Sequence, residues 1–351
     1  MKTNIRVNNT THELSIGLAP NAAGRSPRRA RLARHEEIKD DPHALNIQKT
    51  LKKYDDLHCD IVESNCICGS AALSWSTGGA QPSEGRLPVR DNAHELRVSD
   101  LDVIWWRRVG FPQSIPPTIT EPAQIDLIDN DCRAALVGVL LNEFQGTWIN
   151  HPANTQLAQN TLAQLRAAKS TGFRIPRTLV SQNPTSIREF CEGLDYQVVV
   201  KSISGTQKAP LLTTKITPKH LLCDDSISLC PAIYQEYIPG DLHVRAQCFG
   251  YAIYSVTLKS EALDWRPNLN IPCEVVQLDD EVQGRLRTVL KILGLKMGVV
   301  DLKFTPEGDL VWFEINPQGQ FLFVQGLAPI DLASAFADFL YNEAAVAAKR
   351  L

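Results

Sequence analysis

Two acids and an amide near the end of the chain have the types and spacing to hold a cation. In GVVDLKFTPEGDLVWFEINPQGQF, which begins at Gly298, two alternating runs flank Pro306-Glu307-Gly308-Asp309, the composition of a β-hairpin loop. With those four residues as the loop, Thr305 faces Leu310 and Asp301 falls opposite Glu314. Val300, Leu302, Phe304, Val311, Phe313 and Ile315 then share a buried face, and Asp301, Lys303, Trp312, Glu314 and Asn316 share the other. Opposed side chains in such a pair lie about 4.5–5.5 Å apart at Cβ, so two carboxylates there repel unless a cation sits between them. The Asn316 amide adds a neutral oxygen, and an oxygen set without Cys or His suits Mg²⁺, which keeps water and phosphate oxygens as its other ligands. A solvated hairpin face with unrelated acids is the alternative.

Cationic residues stand upstream. Gln197-Val198-Val199-Val200-Lys201 is a β-branched strand that runs into Ser202-Ile203-Ser204-Gly205-Thr206. A lysine before a small-residue loop offers a point charge and backbone N–H groups to a triphosphate, here without Walker A spacing; a solvated strand-end lysine is the other reading. The strand Ala232 to Ile238, broken by Pro239-Gly240, can offer backbone donors and acceptors to a planar base. Leu242 to Phe249 alternates and places His243, Arg245 and Gln247 on one face, and Asp264-Trp265-Arg266-Pro267-Asn268 is a compact polar loop. Leu101 to Trp106 reads as a buried strand that ends in Arg107 and Arg108, delivering charge to the sheet edge where α/β folds bind ligands, or a strand cap in solvent.

The supporting elements follow from periodicity. Residues 1 to 35, with Arg25, Arg28, Arg29, Arg31 and Arg34, read as a disordered basic arm; a transit peptide, a tail for an anionic partner or a misassigned start are the alternatives. His43, Ala44, Ile47, Leu51 and Tyr54 recur at helical spacing before a strand around Cys59 to Val62. Asp126 to Phe144 is expected as a helix with Leu127, Leu136, Leu140 and Leu141 inward, and Gln156 to Lys169 as a second helix with Leu157, Leu162 and Leu165 apolar. At 351 residues, 44% hydrophobic and with a net charge of −3, the chain allows two or three cores and carries no nucleic-acid footprint. No apolar run reaches the roughly 18 residues that span a bilayer, and no signal-peptide core opens the sequence, so a cytoplasmic protein is expected. The 9 cysteines, an odd number scattered in apolar runs, read as reduced thiols.

Taken together, Lys201, the Gln235-Glu236-Tyr237-Ile238 strand, Arg245, the Asp264 to Asn268 loop, Asp301 and Glu314-Ile315-Asn316-Pro317 resemble, in order and spacing, the ATP-grasp ligases of the RimK-like branch. The narrower resemblance is to the peptide-macrocyclising enzymes of microviridin and related graspetide pathways, carried by Trp105-Trp106-Arg107-Arg108, Trp148-Ile149-Asn150-His151-Pro152, the Asp-Trp-Arg loop and Glu314 through Phe321. It covers roughly residues 41 to 345 and implies an α/β (α+β) ATP-grasp fold, with a pre-ATP-grasp domain at 36–150 and an ATP-grasp domain at 151–351.

The resemblance further implies ATP and two Mg²⁺ as cofactors. Lys201 and Arg245 would hold phosphates, and Gln235, Glu236, Tyr237 and Ile238 would line the adenine and ribose pocket. Arg266 and Asn268 would touch the transferring phosphate, with Arg266 and Arg245 catalytic, and Asp301, Glu314 and Asn316 would be the metal ligands. His243 joins the nucleotide site where the branch has an acid; Thr161 stands in place of an ATP-contacting lysine and Gln325 in place of a glutamate. The implied reaction activates a carboxylate as an acyl phosphate for attack by a hydroxyl or amine, cross-linking a precursor peptide, with no nucleic-acid or membrane partner and with a homodimer allowed. A ligase adding an amino acid to a small molecule or protein tail, and a nucleotide-sensing pseudoenzyme, are the competing readings.

Overall fold

The computed structural model describes residues 28–33, 41–70, 73–77, 84–89, 95–107, 109, 112–204 and 212–349. The chain forms two compact units: one is Ala153–Ile330, and the other joins the described residues up to Pro152 with Asp331 onward. The second domain expected at 151–351 thus ends earlier, because the last helix packs with the N-terminal unit.

The N-terminal unit is built on a parallel sheet. Strands β1 (Arg28–Ala33), β2 (Leu57–Val62), β6 (Val103–Trp106) and β7 (Thr147–Ile149) lie in the order β2-β1-β6-β7, with β3 (Ser74–Ser76), β4 (Glu84–Pro88) and β5 (Glu95–Arg97) forming a separate antiparallel sheet. Helix α1 (Pro42–Leu51) connects β1 to β2, capped by Asp41, and buries His43, Ala44, Ile47 and Leu51. β1 corrects the expected arm at 1–35: its sequence RRARLA lacks the apolar run that marks an inner parallel strand, so hydrophobic patterning passes over it. The remainder of that arm lies outside the described residues.

Helix α2 (Pro122–Glu143) buries Leu136, Val139 and Leu140, whereas Leu127 and Leu141, expected inward, are 59% and 45% exposed. Leu127 precedes Leu136 by two and a half helical turns and so lies on the opposite side. The C-terminal helix Leu332–Ala347 completes this unit, with Phe336 against Trp105 at 4.6 Å between ring centroids and Tyr341 stacked on Tyr54 at 3.9 Å.

Arg107 does not deliver charge to an open edge. It is fully buried, and its Nε donates to Asp41 Oδ2 at 2.7 Å, tying the end of β6 to the cap of α1. Arg108 lies outside the described residues.

The second unit begins with α3 (Pro152–Ala158) and α4 (Thr161–Ser170), two helices where one was expected, because Asn160 accepts from the N–H groups of Leu162 and Ala163 and starts a new helix. Leu157 and Leu162, flanking the break, are about half exposed, while Leu165 is in the core. An antiparallel sheet in the order β10-β9-β11-β8 comprises β8 (Thr178–Ser181), β9 (Val198–Lys201), β10 (Thr214–Lys215) and β11 (Ala232–Glu236), covered by α5 (Pro184–Glu192), with the short helix α6 (Asp224–Ser228) preceding β11. A five-stranded antiparallel sheet in the order β14-β13-β12-β15-β16 comprises β12 (Leu242–Phe249), β13 (Ala252–Lys259), β14 (Cys273–Val276), β15 (Met297–Phe304) and β16 (Leu310–Asn316). Helices α4 and α7 (Asp280–Ile292) pack on one face of this larger sheet, around Val244, Val300, Leu302, Trp312 and Ile315. The opposite face carries the polar side chains. Among the described residues no helix is long and apolar enough to cross a membrane, and none of the 9 cysteines is in a disulfide.

Candidate active site

The hairpin β15–β16 brings its acids together by a route different from the regular one. The loop is Thr305 to Asp309, with Gly308 at φ +90° and the Thr305 N–H donating to Asp309 O at 2.9 Å, so Phe304 rather than Thr305 faces Leu310. Lys303 pairs with Val311 and Leu302 with Trp312; a β-bulge at Phe313 then restores Asp301 opposite Glu314. The longer loop and the extra residue cancel. Their effect is confined to the residues between loop and bulge: Leu310 and Trp312 lie in the core, Val311 shares the face of Lys303, and Phe313 turns into the cleft, so Val311, Trp312 and Phe313 reverse their expected assignment. The outer edge of the bulge is fixed by Trp312 N–H to Arg174 O at 2.9 Å and by Ile315 N–H to the buried Gln164 Oε1 at 2.9 Å.

Above this face lies a cleft of about 340 Å³ whose wall draws on both sheets of the unit. The smaller sheet supplies Lys201 at the end of β9 and, at the end of β11, Gln235 and Glu236 with the following Tyr237 and Ile238; the larger supplies His243, Asp301, Lys303 and Glu314, and the loop after β13 supplies Trp265 and Arg266. Ser202 to Ser204 continue the wall, while Gly205 and Thr206 lie outside the described residues.

Charges in the cleft are placed against one another. Glu314 opens to the cleft and makes no hydrogen bond or ion pair with the described residues. Enclosure by protein, and then the neighbouring Asp301, push its carboxyl above the usual range, opposed by Lys201, Arg266 and Arg245. Burial lowers the Lys201 ammonium, with Glu314 acting against the shift. Arg266 is forked onto Asp264, Nε to Oδ1 at 2.8 Å, which raises the guanidinium and holds the Asp264 carboxyl down. His243 is 6% exposed, and burial, followed by Lys303, lowers it to about 4, so it is neutral at physiological pH. Lys303 is also lowered by burial, and its Nζ donates to Ile238 O at 3.0 Å.

Other expected residues stand back from the wall. Arg245 lies behind Asp301: its Nη1 donates to both carboxylate oxygens at 2.7 and 2.9 Å, its Nη2 to Gln320 O at 2.8 Å, and Trp265 and Phe323 flank the guanidinium at 5.7 and 5.3 Å from their ring centroids. Asn268 is exposed in its loop, and Asn316 Oδ1 accepts from Gln318 N–H at 3.0 Å; neither belongs to the cleft wall. The Gln235 amide turns to Thr178 Oγ1 at 2.9 Å, and the Glu236 carboxylate accepts from Arg177 N–H at 3.0 Å, so both side chains are already engaged within the smaller sheet. Thr161 is not in the wall. Lys303 and the aromatic pair Trp265–Phe323 are the positions that sequence reasoning passed over. Lys303 was visible as a charge two residues from Asp301 in an otherwise apolar strand; Phe323 carries no such signal.

Among the described residues no three His, Cys, Asp or Glu side chains cluster as a metal site. The donor set is two opposed carboxylates, one of them without a hydrogen-bonding partner, and this fits a hard cation that takes its remaining oxygens from water and phosphate.

No protein-family profile and no curated protein matches the sequence. Solved structures do match. The chain is similar to the macrocyclase MdnC from Microcystis aeruginosa MRC, solved with the precursor peptide MdnA, at 21% identity and a TM-score of 0.78 over 90% of this chain and 99% of that one. It is similar to a Chryseobacterium gregarium RiPP-associated ATP-grasp ligase, solved with ADP and a leader and core peptide, at 20% identity and a TM-score of 0.77 over 90% and 97% of the two chains. It also resembles the RimK-domain ATP-grasp protein from Sphaerobacter thermophilus DSM 20745, at 16% identity and a TM-score of 0.53 over 89% and 99%. The chain has the ATP-grasp fold.

Proposed function

We propose that this protein is an ATP-dependent ligase that joins a carboxylate to a hydroxyl or amine through an acyl phosphate, forming ester or amide cross-links in a ribosomally made precursor peptide. The observation that carries the reading is the Glu314 carboxylate beside Asp301, without a hydrogen-bonding partner among the described residues and facing Lys201 and Arg266 across a cleft between two sheets. The likeness in fold to the macrocyclase and to the RiPP-associated ligase supports the peptide as acceptor. Cytoplasmic location belongs to the same proposal.

A carboxylate is a poor electrophile, and transferring a phosphoryl group to it demands charge neutralisation and alignment. Asp301 and Glu314 would hold Mg²⁺, which when bound there would neutralise phosphate charge. Lys201 supplies a fixed positive charge to the phosphates. Asp264 holds the Arg266 fork in one orientation, so its free edge is set toward the transferring group before substrate arrives. Arg245 grips both oxygens of Asp301 and keeps that carboxylate aimed. His243, neutral, adds no charge to the nucleotide pocket.

The decisive experiment incubates the protein with ATP, Mg²⁺ and a precursor peptide rich in Thr, Ser, Asp and Glu encoded beside it, and weighs the peptide by mass spectrometry. Each ring closure removes one water, so losses of whole waters that block fragmentation between the joined residues are expected. An unchanged peptide, with a free amino acid consumed alongside ATP, replaces the reading with an amino-acid-adding ligase.

A further inference from the structure

We infer that Lys303 is a positioning residue that holds the linker between the two sheets, residues 237–241, in the shape that receives the nucleotide; the nucleotide part of this rests on the ligase reading above. The linker leaves β11 of the smaller sheet and enters β12 of the larger one, with the cleft beneath it. Its ends are tied to their own sheets: Tyr237 N–H donates to Gln197 O at 2.9 Å, and Asp241 O accepts from Ser260 N–H at 2.7 Å. Between those ties, the Ile238 carbonyl accepts from Lys303 Nζ at 3.0 Å, a bond from the middle of the larger sheet to the linker.

Three features say that this bond sets the linker's geometry. Lys303 is 4% exposed, flanked in register by His243 on β12 and Val311 on β16, so its head cannot swing into solvent without unpacking the cleft floor. Its ammonium lies 5.6 Å from the Tyr237 ring centroid, and Lys215 of the smaller sheet lies 4.6 Å from the same ring, so the aromatic side chain is held by a cation from each sheet. At Gly240, φ is +111° and an added Cβ would lie 2.4 Å from Phe304 O, so the linker rests directly on the end of the strand that carries Lys303. A buried ammonium costs free energy that an apolar residue at this position would avoid, and a carbonyl acceptor and a ring face offset that cost only while the linker stays in place. Tyr237 and Ile238 line the cleft, so fixing Ile238 fixes the part of its wall that would meet the base.

The test uses Lys303→Met and Lys303→Arg in the full chain. In nucleotide-free protein, the amides of residues 237, 238, 240 and 241 are expected to exchange with solvent about tenfold faster in Lys303→Met, with the inner amides of β12 and β15 unchanged. With ATP and Mg²⁺, KM for ATP is expected to rise about tenfold while kcat at saturating ATP moves less than twofold, and Lys303→Arg, which can still reach the carbonyl, recovers most of the affinity. Unchanged linker exchange, or faster exchange spread equally over β12 and β15, overturns the inference and leaves Lys303 as packing. A fall in kcat at constant KM overturns it as well. If exchange responds as expected but even the unmodified protein binds no ATP, the tie stands and the ligase reading falls.

Discussion

The β-bulge at Phe313 makes a prediction that separates two neighbouring aromatic residues. Trp312 is fully buried among Phe173, Leu302, Phe304 and the helices α4 and α7, on the face away from the cleft. Truncating a buried aromatic of this size to alanine removes its transfer free energy and leaves a cavity, together about 3–5 kcal/mol. Phe313 is half-buried in the cleft wall, so Phe313→Ala forfeits part of one ring's burial and leaves open cleft rather than an internal void, about 1–2 kcal/mol. Trp312→Phe refines the comparison. Trp312 Nε1 has no hydrogen-bond acceptor, so the replacement loses volume but also removes a buried, unsatisfied N–H, and a net cost of about 1 kcal/mol is expected. Urea titrations of the three variants, followed by far-UV circular dichroism, measure the order directly. A Phe313→Ala variant that loses more stability than Trp312→Ala would show that the strands pair in the regular register, without the bulge, and would refute this description of the hairpin.

Three further outcomes are expected. Glu314→Gln removes one of two neighbouring acids, so melting without Mg²⁺ should be unchanged or higher while Mg²⁺-dependent ATP turnover falls at least a hundredfold; turnover at the unmodified level would dismiss the metal assignment. His243, lowered from 6.5 to about 4, binds its proton in the unfolded chain before the folded one, so stability is fully present above pH 6.5 and is lost as pH falls toward 4; the loss is about 3 kcal/mol, should appear in urea titrations at pH 7, 5 and 4, and should be absent from that pH dependence in His243→Gln. Asp41→Ala breaks the fully buried ion pair with Arg107 and removes the cap of α1, costing about 3–5 kcal/mol by urea denaturation, whereas Lys49→Ala on the exposed side of the same helix should be nearly silent.

The pairing of Asp301 with Glu314 was legible because alternation survives a loop and a bulge whose errors are equal and opposite, and because His243, Arg245 and Gln247 fall on the same face of β12 by simple parity. The identities of the residues at the bulge were not legible, since Trp312 and Phe313 are both large and apolar and either can fill a core position. Parity also says which face a side chain takes but not how far it reaches: Arg245 shares the site face yet is spent on Asp301 and Gln320, and Asn316 is drawn into a local turn with Gln318. β1 escaped notice because half of its residues are arginine, and the break at Asn160 escaped because one amide side chain, rather than a glycine or proline, ends the helical run. Arg107 was misjudged because its partner, Asp41, is remote in sequence.

The unit that holds the cleft is inserted within the other: the chain leaves the parallel sheet at Pro152 and returns at Asp331 with the helix that covers Trp105. On the ribosome, that helix is made after the inserted unit. Until it emerges, the parallel sheet must wait with a large aromatic residue exposed, while the whole inserted unit has already been synthesised and can fold first. Nascent chains halted before residue 331 should therefore carry a protease-resistant inserted unit beside a protease-sensitive N-terminal one, so the order of folding in this protein runs opposite to the order of its sequence.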